Sequence, residues 1–158
     1  MHPSMEYEGT SRPLVSVSKH QDWHFILNLN PKRRNHTSEI TRAAIAHVGV
    51  DLAKSVIQIH AVDAAGRRVV ARSLKRDQFI TWCVQLSANC VVAMEAGSST
   101  LHFARKLKSM GLDARMMASN FVAPYRMEGK TGRNDAADAA AICEAASRPS
   151  MRYVPIKT

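Results

Sequence analysis

The sequence lacks the long apolar segments that mark membrane and secreted proteins. No apolar stretch approaches the ~18 residues needed to span a bilayer. The N-terminus has no continuous apolar segment followed by a small-residue cleavage site, so we expect no secretory signal. These absences favour a cytoplasmic protein that does not associate with a membrane.

Cysteine is scarce and forms no recognisable site. The chain has three cysteines, Cys83, Cys90 and Cys143, without a C-x-x-C spacing. An odd count without paired spacing indicates reduced thiols rather than a disulfide framework or a zinc site. The histidines are scattered without paired-ligand spacing, and neither a Walker-type phosphate loop nor a G-x-S-x-G motif is present.

Positive charge, in contrast, is abundant. The 158 residues carry 22 Lys and Arg against 13 Asp and Glu, which gives a net charge of +9 and a pI near 9.9. This surplus favours a polyanionic partner, with nucleic acid ahead of an anionic membrane surface. The apolar fraction of 46% is enough for a hydrophobic core, and the length suggests one domain or one domain with an appendage.

The composition changes near residue 45. Residues 1–44 mix Pro, Ser, His and Asn with isolated aromatics, and only Trp23–Leu29 resembles a strand. We predict that residues 1–44 form a poorly ordered N-terminal extension and that residues 45–158 form the folded domain.

Apolar runs and periodic segments in residues 45–158 predict an α/β fold. The first three strands form an antiparallel meander, with a glycine-containing turn at Asp63–Gly66. Two strand-helix-strand passages follow and favour a sheet with parallel members. We predict strands at Ala46–Asp51, Val56–Val62, Arg67–Leu74, Cys90–Met94 and Leu112–Met117, and helices at Asp77–Ser87, Gly97–Met110 and Asn134–Ala146.

Four acids follow strands or share a helix face. Asp51 and Glu95 end apolar strands, and ligands of open α/β sheets bind beyond the carboxyl ends of strands. Asp135 and Asp138 are three residues apart on the last helix and share a face. Four converging carboxylates would need a cation, and hard oxygen ligands select Mg²⁺ or Mn²⁺. Two such ions ~4 Å apart assist in-line phosphoryl displacement on nucleic acid.

The residues alone leave another interpretation of each acid open. Asp135 suits the N-cap of the last helix with Asp138 at its third position, where the helix dipole favours acids. Asp51 and Glu95, each taken singly, suit exposed strand ends. Against capping, Asp138 lies four residues before Ile142, the only large aliphatic residue of that helix, which favours an inward-pointing Asp138.

The predicted loop Ser119–Arg133 contains an aromatic residue among cations. Tyr125, Arg126, Lys130 and Arg133 suit a phosphate backbone and a stacked base, so we predict that they bind nucleic acid. A solvated basic loop is an equally open alternative.

Four segments resemble, in order, the N-terminal half of the DEDD transposases of bacterial insertion sequences (the insertion-sequence-110 type). They are V-G-V-D-L-A-K-S, V-A-M-E-A-G-S-S-T, M-A-S-N-F-V-A-P-Y and G-R-N-D-A-A-D-A-A-A-I-C-E-A. The closing R-P-S-M-R-Y-V-P-I-K-T is also similar to the family's sequence after this domain. The likeness covers about residues 45–158.

The resemblance implies a fold, a reaction and partners. It implies an RNase H-like (RuvC-like) mixed sheet of about five strands flanked by helices. It implies that the acids bind Mg²⁺ or Mn²⁺ for DNA cleavage and strand transfer, and that these acids are Asp51, Glu95, Asp135 and Asp138. It also implies DNA and a structured guide RNA as partners, a homo-oligomer in the full-length form, and a place at the bacterial nucleoid.

Two features depart from the family's pattern. Family members continue into a C-terminal domain with a serine implicated in strand transfer, and this sequence stops at Thr158 without that domain. Residues 1–44 match nothing in the family. We therefore expect a truncated transposase that is incomplete without its C-terminal domain. An inactive remnant that only binds nucleic acid is the alternative, and a fragment of an actin-like kinase or ATPase is a weaker one.

Overall fold

One open sheet with both antiparallel and parallel strand pairs organises the chain. The structure is a computed structural model that describes residues 44–126 and 134–157. The sheet has the strand order β3-β2-β1-β4-β5. The first three strands are antiparallel neighbours, and β4 and β5 continue the sheet from β1 in parallel. The strands are β1 (Ile45–Leu52), β2 (Val56–Asp63), β3 (Arg68–Lys75), β4 (Val91–Glu95) and β5 (Asp113–Met117).

Helices connect and flank the strands. In chain order they are α1 (Arg76–Cys83), α2 (Thr100–Ser109), α3 (Ser119–Val122), a 3-10 turn (Ala123–Tyr125) and α4 (Asp135–Ala146). The antiparallel meander and the parallel strand-helix-strand passages were both predicted, and the RNase H-like mixed α/β sheet is confirmed. None of the described helices is long and apolar enough to cross a membrane.

The core lies on both faces of the sheet. On one face, Val48 and Val50 of β1 belong to a buried cluster with Phe79 of α1 and Leu107 of α2. On the other face, Ile142 of α4 packs in a second cluster that includes small and medium side chains of β4, β5 and α3. Strands covered on both faces have no polar face, which explains why the first and fourth strands are continuous apolar runs.

The end of the described chain returns to the sheet edge. Val154 donates a backbone hydrogen bond of 2.7 Å to the Met116 carbonyl oxygen, and the two residues form an antiparallel bridge. The sequence of Met151–Pro155 suits a further strand or a linker, and the structure forms a single bridge with β5 there.

Most strand bounds differ from the prediction by one residue, and the larger differences lie in two helices and in the loop after β5. Helix α1 begins at Arg76, so Asp77 lies inside its first turn and is not the N-cap. The helix ends at Cys83, four residues before the predicted end, and turns follow it. Helix α2 begins at Thr100, three residues later than predicted. The predicted loop after β5 contains α3 and the 3-10 turn, in which Pro124 occupies one of the first two positions, where its missing N–H is tolerated.

The predicted extension lies almost wholly outside the described residues. The sheet begins at Ile45, directly after the first described residue. The division at residues 44 and 45 and the strand at Trp23–Leu29 stay predictions.

Candidate functional site

Two acids occupy neighbouring parallel strands. Asp51 is the penultimate residue of β1, and Glu95 is the last residue of β4. Val50 pairs with Met94 across the two strands, so each acid follows directly after a paired residue. Both acids are half-buried. The parallel register therefore delivers the two carboxylates to the same end of the sheet.

Helix α4 lies against β1 at Gly49. A Cβ on Gly49 would overlap the Ala139 carbonyl oxygen and the Cys143 backbone nitrogen, and would lie 2.7 Å from the Cys143 Cβ. Only glycine permits this close approach of a helix backbone. Because side chains alternate along a strand, Asp51 projects from the same face as Gly49, toward α4.

Asn134, and neither aspartate, caps helix α4. The Asn134 side-chain oxygen accepts a hydrogen bond of 3.0 Å from the Ala136 backbone nitrogen, and Asp135 is the first helical residue. The alternative in which Asp135 is the N-cap is therefore wrong. Asp138 is half-buried while Ile142 is fully buried, which agrees with the inward direction that their spacing predicts.

Three aspartates converge where β1 meets α4. Asp51, Asp135 and Asp138 each place one carboxylate oxygen so that all three atoms lie within 4.8 Å of one another. Burial, followed by the nearby charges of Asp138, Asp135 and Glu95, raises the pKa of Asp51 above its ordinary value. Like charges this close disfavour the ionised form unless a cation offsets them.

Glu95 does not join the group of three aspartates, and one arginine connects it to them. The Arg126 guanidinium forms an ion pair with Glu95, and its Nε donates a hydrogen bond of 2.8 Å to Asp138. Hydrogen bonds and charge from Asp138 and Glu95 outweigh the opposing effect of burial and raise the pKa of Arg126. The structure thus brings all four predicted acids into one neighbourhood, in which Arg126 contacts both Glu95 and Asp138.

Two residues that the sequence did not indicate hold Glu95 in place. The Ser119 hydroxyl donates to one Glu95 carboxylate oxygen, and Arg126 contacts the other. The buried Thr100 hydroxyl donates a hydrogen bond of 2.7 Å to the Glu95 backbone carbonyl. Ser119 stands two residues after the end of β5, so the rule that ligands gather beyond parallel strand ends would have identified it as well.

The composition of the cluster suits a hard divalent cation. Its side-chain donors are carboxylate oxygens, with the Ser119 hydroxyl beside Glu95, and no thiol or imidazole belongs to it among the described residues. Oxygen-only donor sets select Mg²⁺, Mn²⁺ or Ca²⁺ over softer metals. The residues present therefore fit the metal that the sequence predicts.

The sequence is similar to those of known transposases. A probable family 20 transposase of Pseudomonas aeruginosa is 49% identical over 114 residues, which are 72% of this chain and 32% of that protein. The transposase for insertion sequence element IS1111A of Coxiella burnetii is 40% identical over 111 residues, 70% of this chain and 29% of that protein. Over this shared stretch the chain is similar to insertion-sequence transposases. No protein-family model matches the chain.

The shared stretch is a limited part of those transposases. A third relative, the transposase for insertion sequence element IS1328 of Yersinia enterocolitica, is 34% identical over 70% of this chain and 32% of its own length. The chain thus spans about a third of the length of the relatives it matches. The resemblance predicted from the sequence motifs is confirmed, and the roles of the individual acids stay predictions.

The predicted nucleic-acid-binding residues lie only partly among the described residues. Tyr125 is half-buried against the second core cluster, with the Arg148 guanidinium 5.7 Å from its ring centroid. Arg126 is engaged with Glu95 and Asp138 rather than projecting freely into solvent. Lys130 and Arg133 lie outside the described residues. Their binding of DNA or RNA stays a prediction.

Proposed function

We propose that this chain is the metal-binding part of an insertion-sequence transposase and acts on DNA phosphodiesters. The observation that carries the proposal is the convergence of one oxygen each from Asp51, Asp135 and Asp138 within 4.8 Å. The relatives, which are named as transposases, support transposition as the process.

The chain's own residues have distinct roles in this proposal. Asp51, Asp135 and Asp138 would hold the divalent cation, and Glu95 would complete the set. Bound Mg²⁺ or Mn²⁺ supplies Lewis acidity at the scissile phosphate and helps to generate the attacking oxygen nucleophile. The Thr100 hydroxyl holds the backbone of Glu95 at the end of β4 through its carbonyl oxygen.

Net charge supports DNA as the substrate. The chain carries +9 overall, although its proposed reaction centre is acidic. The basic remainder attracts the phosphate backbone, while the carboxylates repel a phosphate until a cation neutralises them. Binding of DNA and placement of the scissile phosphate would therefore respond differently to divalent metal.

A cleavage assay tests the proposed function. Branched and duplex DNA are incubated with the 158-residue chain, with Mg²⁺, Mn²⁺ or EDTA, and Asp138→Asn is compared with the chain itself. We expect metal-dependent cleavage that falls at least about 100-fold in Asp138→Asn, because even changes outside the direct ligands cost 10–100-fold at metal sites. Glu144→Gln is the matched control, since Glu144 is exposed on the same helix and pairs with Arg148.

Two outcomes would contradict the proposal. Cleavage that persists in Asp138→Asn would exclude the acidic cluster as the reaction centre. Salt-dependent DNA binding without any metal-dependent cleavage would favour the alternative of a remnant that binds nucleic acid without turnover.

A further inference from the structure

Arg126 is the cation that already sits inside the acidic cluster. Its guanidinium pairs with Glu95 and Asp138, and its side chain is only 24% exposed. Glu95 uses one carboxylate oxygen for Arg126 and the other for the Ser119 hydroxyl. The arginine therefore offsets part of the negative charge of the cluster and also holds Glu95 outside the group of three aspartates.

We propose that Arg126 is the resident counter-ion of the metal-free cluster and that a divalent cation displaces it from Asp138 and Glu95. The inference rests on the proposed function, because it assumes a metal at the three aspartates. It assigns to Arg126 a positioning role that changes with metal occupancy. In the metal-bound chain, Glu95 is free to turn toward the aspartates.

Electrostatics makes the two cations competitors. The guanidinium hydrogen-bonds Asp138, one of the three aspartates whose oxygens lie within 4.8 Å of one another. At such separations a unit charge and a divalent ion repel by several kcal/mol even at an effective dielectric constant of about 20. Each cation also offsets the same carboxylate repulsion, so the cluster gains little from holding both.

The surroundings of Arg126 allow its side chain to leave while its backbone stays. The Arg126 backbone nitrogen donates a hydrogen bond of 3.1 Å to the Ala123 carbonyl, which ties it to the 3-10 turn. The preceding Tyr125 packs against the second core cluster beneath Arg148. Displacement then needs rotation of one long side chain, and the freed guanidinium has the fork geometry that matches a phosphate.

Mn²⁺ titration of matched variants tests the inference. Mn²⁺ binding to the 158-residue chain is measured by calorimetry and by electron paramagnetic resonance, and compared with binding to Arg126→Gln. We expect Arg126→Gln to bind Mn²⁺ about tenfold more tightly, the effect of removing one charge-assisted hydrogen bond that the metal must otherwise break. Without metal, Arg126→Gln should melt at a lower temperature than the unmodified chain.

Arg148→Gln is the matched control. It removes the same charge from an exposed ion pair with Glu144 on α4, and its Mn²⁺ affinity should stay within about twofold of the parent, as expected for a screened surface charge. Arg126→Lys keeps the charge without the planar fork, and it provides a folded variant should the glutamine variant unfold without metal. We expect its affinity to lie between those of the parent and Arg126→Gln.

Nuclear magnetic resonance on the unmodified chain reports the displacement directly. The Arg126 Nε–H resonance should show slow solvent exchange without metal and lose that protection as Mg²⁺ is added. Mn²⁺ binding to Arg126→Gln that is equal to or weaker than the parent's would overturn the inference while leaving the proposed function intact, as would retained Nε–H protection in Mg²⁺. If neither protein binds Mn²⁺, the proposed function and the inference both fail.

Discussion

At the scale of single residues, the unusual feature is an acid surrounded by acids. Asp51 is half-buried, and its neighbours Asp135, Asp138 and Glu95 all disfavour its ionised form. Arg126 opposes this effect only in part, since the pKa of Asp51 is raised on balance. Without metal, a proton on Asp51 relieves the repulsion between these carboxylates. A bound divalent cation would relieve the same repulsion and release the proton.

The raised pKa of Asp51 predicts how stability depends on pH. The folded chain binds a proton at Asp51 more tightly than the unfolded chain, whose pKa is near the ordinary value of 3.8. This contribution is fully present below that value and is lost as the pH rises through the higher folded-state pKa. Without metal, the free energy of unfolding should therefore fall across that window, and Asp51→Asn should remove this part of the pH dependence.

Urea denaturation in EDTA, from about pH 4 to about pH 8, measures this difference. At the upper end we expect Asp51→Asn to be more stable than the parent by about 1 kcal/mol, the scale of a screened interaction between charges near the surface. Asp77→Asn is the control, because it removes an exposed acid from α1. Equal stability of Asp51→Asn and the parent at every pH would contradict the prediction.

At the scale of elements, the candidate site depends on how closely α4 approaches β1. Because Gly49 has no side chain, the α4 backbone comes within contact distance of β1. The small alanine side chains of α4 also permit this close packing. Asp51 lies two residues after Gly49, so the contact that brings the helix to the strand also brings the helical aspartates to Asp51. Packing and site geometry are therefore coupled through one small residue.

Gly49→Ala should disturb both stability and the site. The added Cβ would overlap backbone atoms of Ala139 and Cys143, and overpacking of this kind costs about 1–3 kcal/mol. We expect a lower melting temperature and a weaker affinity for Mn²⁺, because α4 must move away from β1.

Gly97→Ala is the matched comparison for Gly49→Ala. Its Cβ would lie 3.5 Å from the Thr100 Oγ1, an ordinary contact, so its melting temperature should stay close to that of the parent. Scanning calorimetry and Mn²⁺ titration measure the two quantities. A Gly49→Ala chain with the parent's melting temperature and Mn²⁺ affinity would show that the close packing is not needed.

Most elements were predictable because their periodicity is local. The meander and the parallel strands follow from apolar runs and a turn with Gly66, which has a φ of 78°. Asp138 was expected to point inward from its spacing to Ile142, and it is half-buried. The contact of Gly49 with α4 joins residues about 90 positions apart, and no local pattern encodes which glycine a distant helix approaches.

At the scale of the whole molecule, the sequence identified the acids but not their connections. The motifs placed four acids together and assigned Arg126 to nucleic acid. The structure connects Arg126 to Glu95 and Asp138, directly after a 3-10 turn that the sequence predicted as a loop, and its binding of nucleic acid stays a prediction. Ser119 was given no role in the site because the pairing of β5 with β4 brings it to Glu95. Thr100 was given none either, although it lies only five residues after Glu95.

The positive net charge of the chain and its acidic cluster have complementary roles in the proposed function. In the proposed function, the net charge of +9 would draw a polyanion to the molecule, and the converging aspartates would need a cation before a phosphate approaches them. The chain spans about a third of the length of the transposases it matches. Metal binding can nonetheless be measured on this chain directly.

Anomalous diffraction from crystals of the 158-residue chain grown with Mn²⁺ tests the central claim most directly. We predict an anomalous peak between the carboxylates of Asp51, Asp135 and Asp138, with metal–oxygen distances of about 2.1 Å, a typical length for small divalent cations. Saturating Mn²⁺ with no peak at this position, and with the Arg126 guanidinium still bridging Glu95 and Asp138, would contradict the assignment of a metal centre.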